Sequence, residues 1–171
     1  MAPSLPILKG RAFVFGDYIN SDQILPVRHV ASQNIDELKD HIMDGVDPGV
    51  HRRIAFGDFI VAGRNFGLGS SREQAASALR SAGIGAVIAK SFAPAFLRNA
   101  VNVGLLVLRC PNAVDFIENG DNLSIDPLRH IITNQRTGES FMYEGLQKSL
   151  EQIIRAGGLV EWVKKEREER G

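Results

Sequence analysis

Three short apolar runs, "DFIVA" (58–62), "GAVIAK" (85–90) and "LLVLRC" (105–110), are separated by two helical patterns. This alternation limits what the chain can fold into more than any other feature. The first helical pattern, "REQAASALRSAG" (72–83), carries Ala75, Leu79 and Ala82 on one side and stops at Gly83. The second, "APAFLRNAVNVG" (93–104), has Pro94 in its first turn, where a missing N–H is tolerated. Short strands joined through helices pair in parallel, with right-handed crossovers. Upstream, "GRAFVF" (10–15) reads as a first strand, and "GDYINSDQILP" (16–26) is polar and turn-rich. Ile35, Leu38 and Ile42 have helical spacing, which predicts a helix from Ile35 to Met43. "DGVDPGVHRR" (44–53) breaks that pattern with glycines and a proline.

The last third of the chain reads differently. "DNLSIDPLRHIITNQRTGESFMYEG" (121–145) predicts short strands, with "RTGES" (136–140) as a hairpin turn. A helix from Gln147 to Ala156 ends at Gly157 and Gly158, and residues 157–171 form a charged C-terminal helix or tail. No repeat, low-complexity tract or linker divides the 171 residues. The expected architecture is one α/β domain over 1–171, with mostly parallel central strands and additional short β-strands.

Composition removes several function classes. Lys+Arg and Asp+Glu number 20 each, so the net charge is zero, against a non-specific nucleic-acid binder. No apolar run approaches the roughly 20 residues of a membrane span. The N-terminus has no cationic segment followed by an apolar one, so no secretory leader is expected. One cysteine, Cys110, cannot form an internal disulfide, and a cytoplasmic address is the plain expectation. A cluster of iron and sulfur takes roughly three or four thiolates, more than this chain supplies. The histidines at 29, 41, 51 and 130 lack the spacing of a helical zinc pair. No metal or cofactor ligands are therefore assigned within the chain, and His41 and His51 are read as solvated.

The most informative stretch is "GRNFGLGSSRE", residues 63–73, directly after the first of the apolar runs. A loop opening a helix presents backbone N–H groups without intrahelical partners, and the macrodipole adds partial positive charge. Gly67 and Gly69 permit positive φ and close backbone approach. Arg64 and Arg72 add fixed cations that can grip a carboxylate through two parallel bonds. The fitting guest is a carboxylate or a phosphate. Ser70 or Ser71 is expected to be the N-cap, with Glu73 near the third helical position as in a capping box. A merely capped helix start explains the same residues equally well, so the residues alone leave both readings open. The P-loop, dinucleotide and hydrolase-elbow patterns do not fit.

"GRNFGLGSSRE", followed by "AGIGAVIAKSFAPAFLRNAVNVGL", resembles the small subunits of the 3-isopropylmalate dehydratases in the aconitase family. "GDYINSDQILP" is similar to that family's D-x-I-x-[ST]-D-x-I-x-P segment, and "GGLVEW" to its C-terminal tail. The resemblance implies a swivelling β/β/α domain that completes the active site of a large subunit carrying a 4Fe-4S cluster. The implied assembly is a heterodimer or heterotetramer acting on a small di-acid, with no nucleic-acid or membrane partner. Self-association of the isolated chain is left open. The implied reaction dehydrates and rehydrates a 2-hydroxy di-acid, moving the hydroxyl to the neighbouring carbon.

By motif, Ser70 matches the family's base and Asp17 an active-site aspartate. Ser71 and Arg72 match positions that hold substrate carboxylate, with Arg64 beside them, while Asn65 and Glu73 are expected to support the loop. Leu68, Gln74 and Pro94 stand where the family commonly has cysteine, histidine and arginine. Homoaconitase-type chains resemble "YLRT" where this one reads His29-Val30-Ala31-Ser32. Val30 and Ala31 therefore replace the pair containing an arginine for a distal carboxylate. A buried carboxylate without a partner is costly, so an apolar substituent such as isopropyl or methyl is expected. A homoaconitase-like enzyme, a methyl-substituted malate dehydratase and a non-catalytic carboxylate-binding module are the alternatives. The stretch from Val30 to Arg53 is expected to behave as a mobile lid, poorly ordered without the large subunit.

Overall fold

The computed structural model describes residues 5–32, 34–70 and 72–170. Its frame is a seven-stranded sheet. The strands are β1 (Leu8–Val14), β2 (Phe59–Ala62), β3 (Ala86–Ala89), β4 (Val107–Arg109), β5 (Asn122–Asp126), β6 (Ile131–Asn134) and β7 (Ser140–Met142). They lie in the order β4-β3-β2-β1-β5-β6-β7. Pairing from β4 to β1 is parallel, and from β1 outward to β7 antiparallel. β1 serves both halves: Ala12–Val14 pair with Phe59–Val61 in parallel, while Leu8–Arg11 pair with Asn122–Ile125 antiparallel.

The helices fill in the crossovers. α1 (Ser21–Ile24), α2 (Val27–Val30) and α3 (Ile35–Leu38) are single turns between β1 and β2, joined by 3-10 turns at Lys39–His41 and Val50–Arg52. α4 (Glu73–Ser81) and α5 (Pro94–Asn102) are the crossovers read from the apolar alternation, with Pro94 in the first turn of α5. α6 (Pro111–Val114), α7 (Lys148–Ala156) and α8 (Leu159–Arg170) follow. The hairpin between β6 and β7 turns at Gly138 as expected.

The parallel strands look uniformly apolar because each of their faces meets a separate core. Ile60 and Ala62 of β2 and Val87 and Ala89 of β3 pack with α4 and α5, together with Ile24, Leu38 and Leu79. Phe59, Val61, Ala86 and Ile88 turn the other way, onto Leu108, Ala113 and the antiparallel strands' Leu123, Ile125 and Ile132. Alternation with a period of two is thus intact, but both phases are hydrophobic.

Two expectations need correction. The helix predicted from Ile35 to Met43 is one α-turn followed by a 3-10 turn, and Ile42 is already extended. The 30–53 stretch, expected as a lid, is anchored among its described residues by Leu38, Ile42, Met43 and Val50, which are buried. Met43 N donates to Ile24 O at 2.6 Å and Gly45 N to Gln23 O at 3.1 Å, tying the stretch to α1. The C-terminal helix α8 has no buried residue, in line with a solvated end, although Trp162 is half-buried.

Candidate active site

The site lies beyond the carboxyl ends of β1, β2 and β3, where open parallel sheets place their ligands. The backbone there continues the sheet as a lattice of single bonds. Gly63 N donates to Gly16 O at 3.0 Å, Tyr18 N to Arg64 O at 2.7 Å, Gly67 N to Ile19 O at 2.7 Å and Ser21 N to Leu68 O at 2.8 Å. On the other side Lys90 N donates to Gly63 O, Phe66 N to Ser91 O and Ala93 N to Phe66 O, at 2.9–3.1 Å. The 15–21, 63–68 and 90–93 segments are therefore laced edge to edge. Asn65 supports the loop as expected: its N–H donates to Ser91 Oγ at 2.8 Å, and it adopts a φ of 55°.

Two glycines are required by contact. A Cβ on Gly63 would lie 1.8 Å from Asp17 Oδ1. A Cβ on Gly67, whose φ is +84°, would lie 2.3 Å from the ring of Phe96. The glycine spacing therefore records how closely the loop passes Asp17 and α5, rather than a nucleotide fingerprint.

Asp17 accepts a hydrogen bond from Arg64 N–H at 2.7 Å. Its other oxygen is 3.7 Å from the Arg64 guanidinium, with side chains 40% and 63% exposed, so this ion pair is loose and wet. Arg64 keeps donors free to meet an anion. Ser70 is exposed, and its hydroxyl lies 3.3 Å from that of buried Ser21. Arg72 is 26% exposed, with its guanidinium 3.8 Å from Asp22, whose carboxylate also receives Val27 N–H at 2.7 Å. Ser71, expected to bind carboxylate, lies outside the described residues.

The capping expectation is corrected here. Arg72 is the N-cap of α4, with extended backbone and no capping bond from its side chain, and Glu73 is the first helical residue. Ser70 stands before the helix, where Gly69 at φ +99° has turned the chain. Its hydroxyl meets Ser21 rather than capping α4. Ser21 was missed from the sequence. The available signal was the Asn20–Gln23 capping box, which fixes α1: Gln23 N donates to Asn20 Oδ1 at 2.8 Å and Asn20 N to Gln23 Oε1 at 3.0 Å.

Val30 and Ala31 end α2; Val30 is half-buried against the core and Ala31 is exposed. A cleft of about 340 Å³ beside them is lined by Ser32, Ile35, Leu38, Glu73, Gln74 and Ser77. It brings the end of the α2 segment against the first turns of α4. No cation comes from Ala31, and the neighbouring Arg28 is exposed, its Nε donating to His29 Nε2 at 3.1 Å. Cys110, the one thiol, is buried at the end of β4 with Sγ 3.4 Å from Met142 O, and burial raises its pKa. A neutral, inward-turned thiol does not fit an iron–sulfur cluster, so this chain's donors do not hold one.

The family model described as the aconitase C-terminal domain matches residues 28–113. The 3-isopropylmalate dehydratase small subunit 1 of Methanopyrus kandleri is 44% identical over 160 residues, covering 94% of each chain. That of Archaeoglobus fulgidus is 45% identical over 159 residues, covering 93% of this chain and 98% of the relative. The crystal structure of 3-isopropylmalate dehydratase from Methanocaldococcus jannaschii superposes with a TM-score of 0.93 at 41% identity, over 97% of this chain and 100% of that one. With its laced strand ends, its serine-bearing loop and this likeness over nearly the full length, the chain belongs to the 3-isopropylmalate dehydratase small-subunit family, whose fold is the aconitase C-terminal domain.

Proposed function

We propose that the chain is the small subunit of a hydro-lyase interconverting 2-isopropylmalate and 3-isopropylmalate in leucine biosynthesis. The supporting observation is the Ser70 hydroxyl, held outside the fold by a laced loop and 3.3 Å from a second, buried hydroxyl. Ser70 Oγ, as alkoxide, takes the proton from the carbon beside a carboxylate while hydroxide leaves the neighbouring carbon. Readdition in the opposite sense returns proton and hydroxide exchanged. The alkoxide is favoured by a hydrogen bond that Ser21 can donate, and we assign further stabilisation to Arg64 and Arg72 of the same loop. Arg64, Arg72 and Ser71 hold substrate carboxylates, and Asp17 keeps Arg64 facing the loop.

The relatives are named as small subunits, and we assign the rest of the site to a large subunit with a 4Fe-4S cluster, in a heterodimer or heterotetramer. Among the described residues no helix is long and apolar enough to cross a membrane. The proposed compartment is the cytoplasm. Ala31, which offers no cation at this position, favours an apolar substituent over a distal carboxylate.

The test is co-purification with the large subunit and an absorbance assay for the unsaturated di-acid. Ser70→Ala is expected to lower turnover by about a hundredfold or more, as loss of a general base does, while leaving the complex assembled. Full turnover by that variant refutes the role of Ser70. Homocitrate turned over as well as isopropylmalate refutes the substrate preference.

A further inference from the structure

Three of the chain's four histidines, His29, His41 and His51, converge on one carboxylate beside the α2 segment. His29 and His41 stack with ring centroids 3.5 Å apart and planes 5° from parallel. His41 Nδ1 lies 3.1 Å from Asp44 Oδ2. One donor atom from each of His29, His41 and Asp44 falls within 4.8 Å of the others. The far oxygen of Asp44 accepts Gly49 N–H at 2.9 Å and lies 3.9 Å from His51 Nδ1. That ring nitrogen is buried and has no hydrogen-bond partner among the described residues.

We propose that His29, His41 and Asp44 bind a divalent transition-metal ion of the zinc type, which fastens α2 to the turn at Lys39–His41. Two imidazoles and a carboxylate are the donor set of three-ligand zinc sites, with water completing the fourth position. The nitrogen donors select zinc, cobalt or nickel over magnesium and calcium. Bonds of about 2.0–2.2 Å put donors roughly 3.3 Å apart in a tetrahedron, so the His41–Asp44 pair already has the required separation. One of the parallel rings must tilt for both lone pairs to converge, and exposed Arg28 must release His29 if Nε2 is the ligand. The surroundings resemble a prepared outer shell: Gly49 N–H orients the carboxylate, and His51 is placed to assist it. Spacing rules missed the site because its ligands come from α2 and from the turn following α3. Bound metal would fix the position of Val30 and Ala31, next to the cleft.

The experiment uses the full chain without an affinity tag, stripped with chelator and titrated with Co2+ and Zn2+. A single equivalent of Co2+ with the visible absorption of four-coordinate cobalt, displaced by Zn2+, is the expected result. Zn2+ should also raise the melting temperature. His29→Ala and His41→Ala should each weaken binding by at least about tenfold, a loss that even outer-shell changes reach. His130→Ala should leave it unchanged, since His130 packs instead on Tyr143 and Glu151. No stoichiometric binding, or binding indifferent to His29 and His41, overturns the proposal. Neither result depends on the dehydratase reading, because no turnover is measured.

Discussion

Substitutions at Asp17 separate holding the loop from taking part in the reaction. Asp17 Oδ1 receives Arg64 N–H at 2.7 Å, a bond to a charged acceptor. Such bonds contribute about 1.5–3 kcal/mol, and the 40% exposure of Asp17 puts this one at the lower end, since water can replace the acceptor. The ion pair to Arg64 at 3.7 Å adds between about 0 and 1 kcal/mol at exposed positions. Asp17→Ala is therefore expected to cost about 1.5–2.5 kcal/mol, or about 3–10 °C in melting temperature for a chain of this size. Asp17→Asn keeps an oxygen for Arg64 N–H and is expected to cost about half as much or less. Urea unfolding of the isolated chain, followed by far-UV circular dichroism, measures both. In the assembled enzyme both variants are expected to lose turnover alike, because the asparagine lacks the charge. Wild-type kcat/KM in Asp17→Asn refutes a catalytic role for the carboxylate. Unchanged stability in Asp17→Ala refutes the hydrogen-bond argument itself.

Gly67→Ala forces a side chain into a positive-φ position and a Cβ to within 2.3 Å of Phe96, and is expected to cost about 2–4 kcal/mol. A loss below about 1 kcal/mol in urea unfolding would show that α5 does not constrain the loop. Asp121 gives a pH test: it accepts Arg136 Nε at 2.6 Å, Asn134 Nδ2 at 2.7 Å and Glu118 N–H at 2.8 Å. The hydrogen bond from Arg136 is the main reason its pKa falls from 3.8 to about 2. A folded-state pKa below the unfolded one gives stability that is present above pH 4 or so and is lost as pH falls toward about 2. With Arg136 half in water, that stability amounts to about 1–2 kcal/mol, and Asp121→Asn should remove this part of the acid dependence in unfolding curves taken between those pH values.

What the sequence disclosed follows from how local each signal was. β2, β3 and β4 were legible because apolar runs bounded by glycine and helix patterns are read within a few residues. α1, α2 and α3 were not, because a single turn offers no window in which periodicity can accumulate. The double pairing of β1 was invisible, since nothing within Leu8–Val14 marks where its partner changes at Ala12. At the site, Ser70, Arg64, Arg72 and Asp17 do gather near one loop. Adjacent serines before a helix suggested a cap, but φ +99° at Gly69 and the Arg72 cap follow from tertiary lacing that local preference does not encode. Ser21 and the histidines around Asp44 depend on chain crossings, and composition carries no trace of those.

The backbone lacing of the 15–21, 63–68 and 90–93 segments has a consequence for how such a chain changes over time. The 63–68 segment cannot shift without breaking bonds to the segments on both sides of it, so the loop that leads to Ser70 tolerates little drift. Val30 and Ala31 stand apart from it, at the end of a one-turn helix. Exchange at those two positions therefore leaves the laced loop that leads to Ser70 undisturbed.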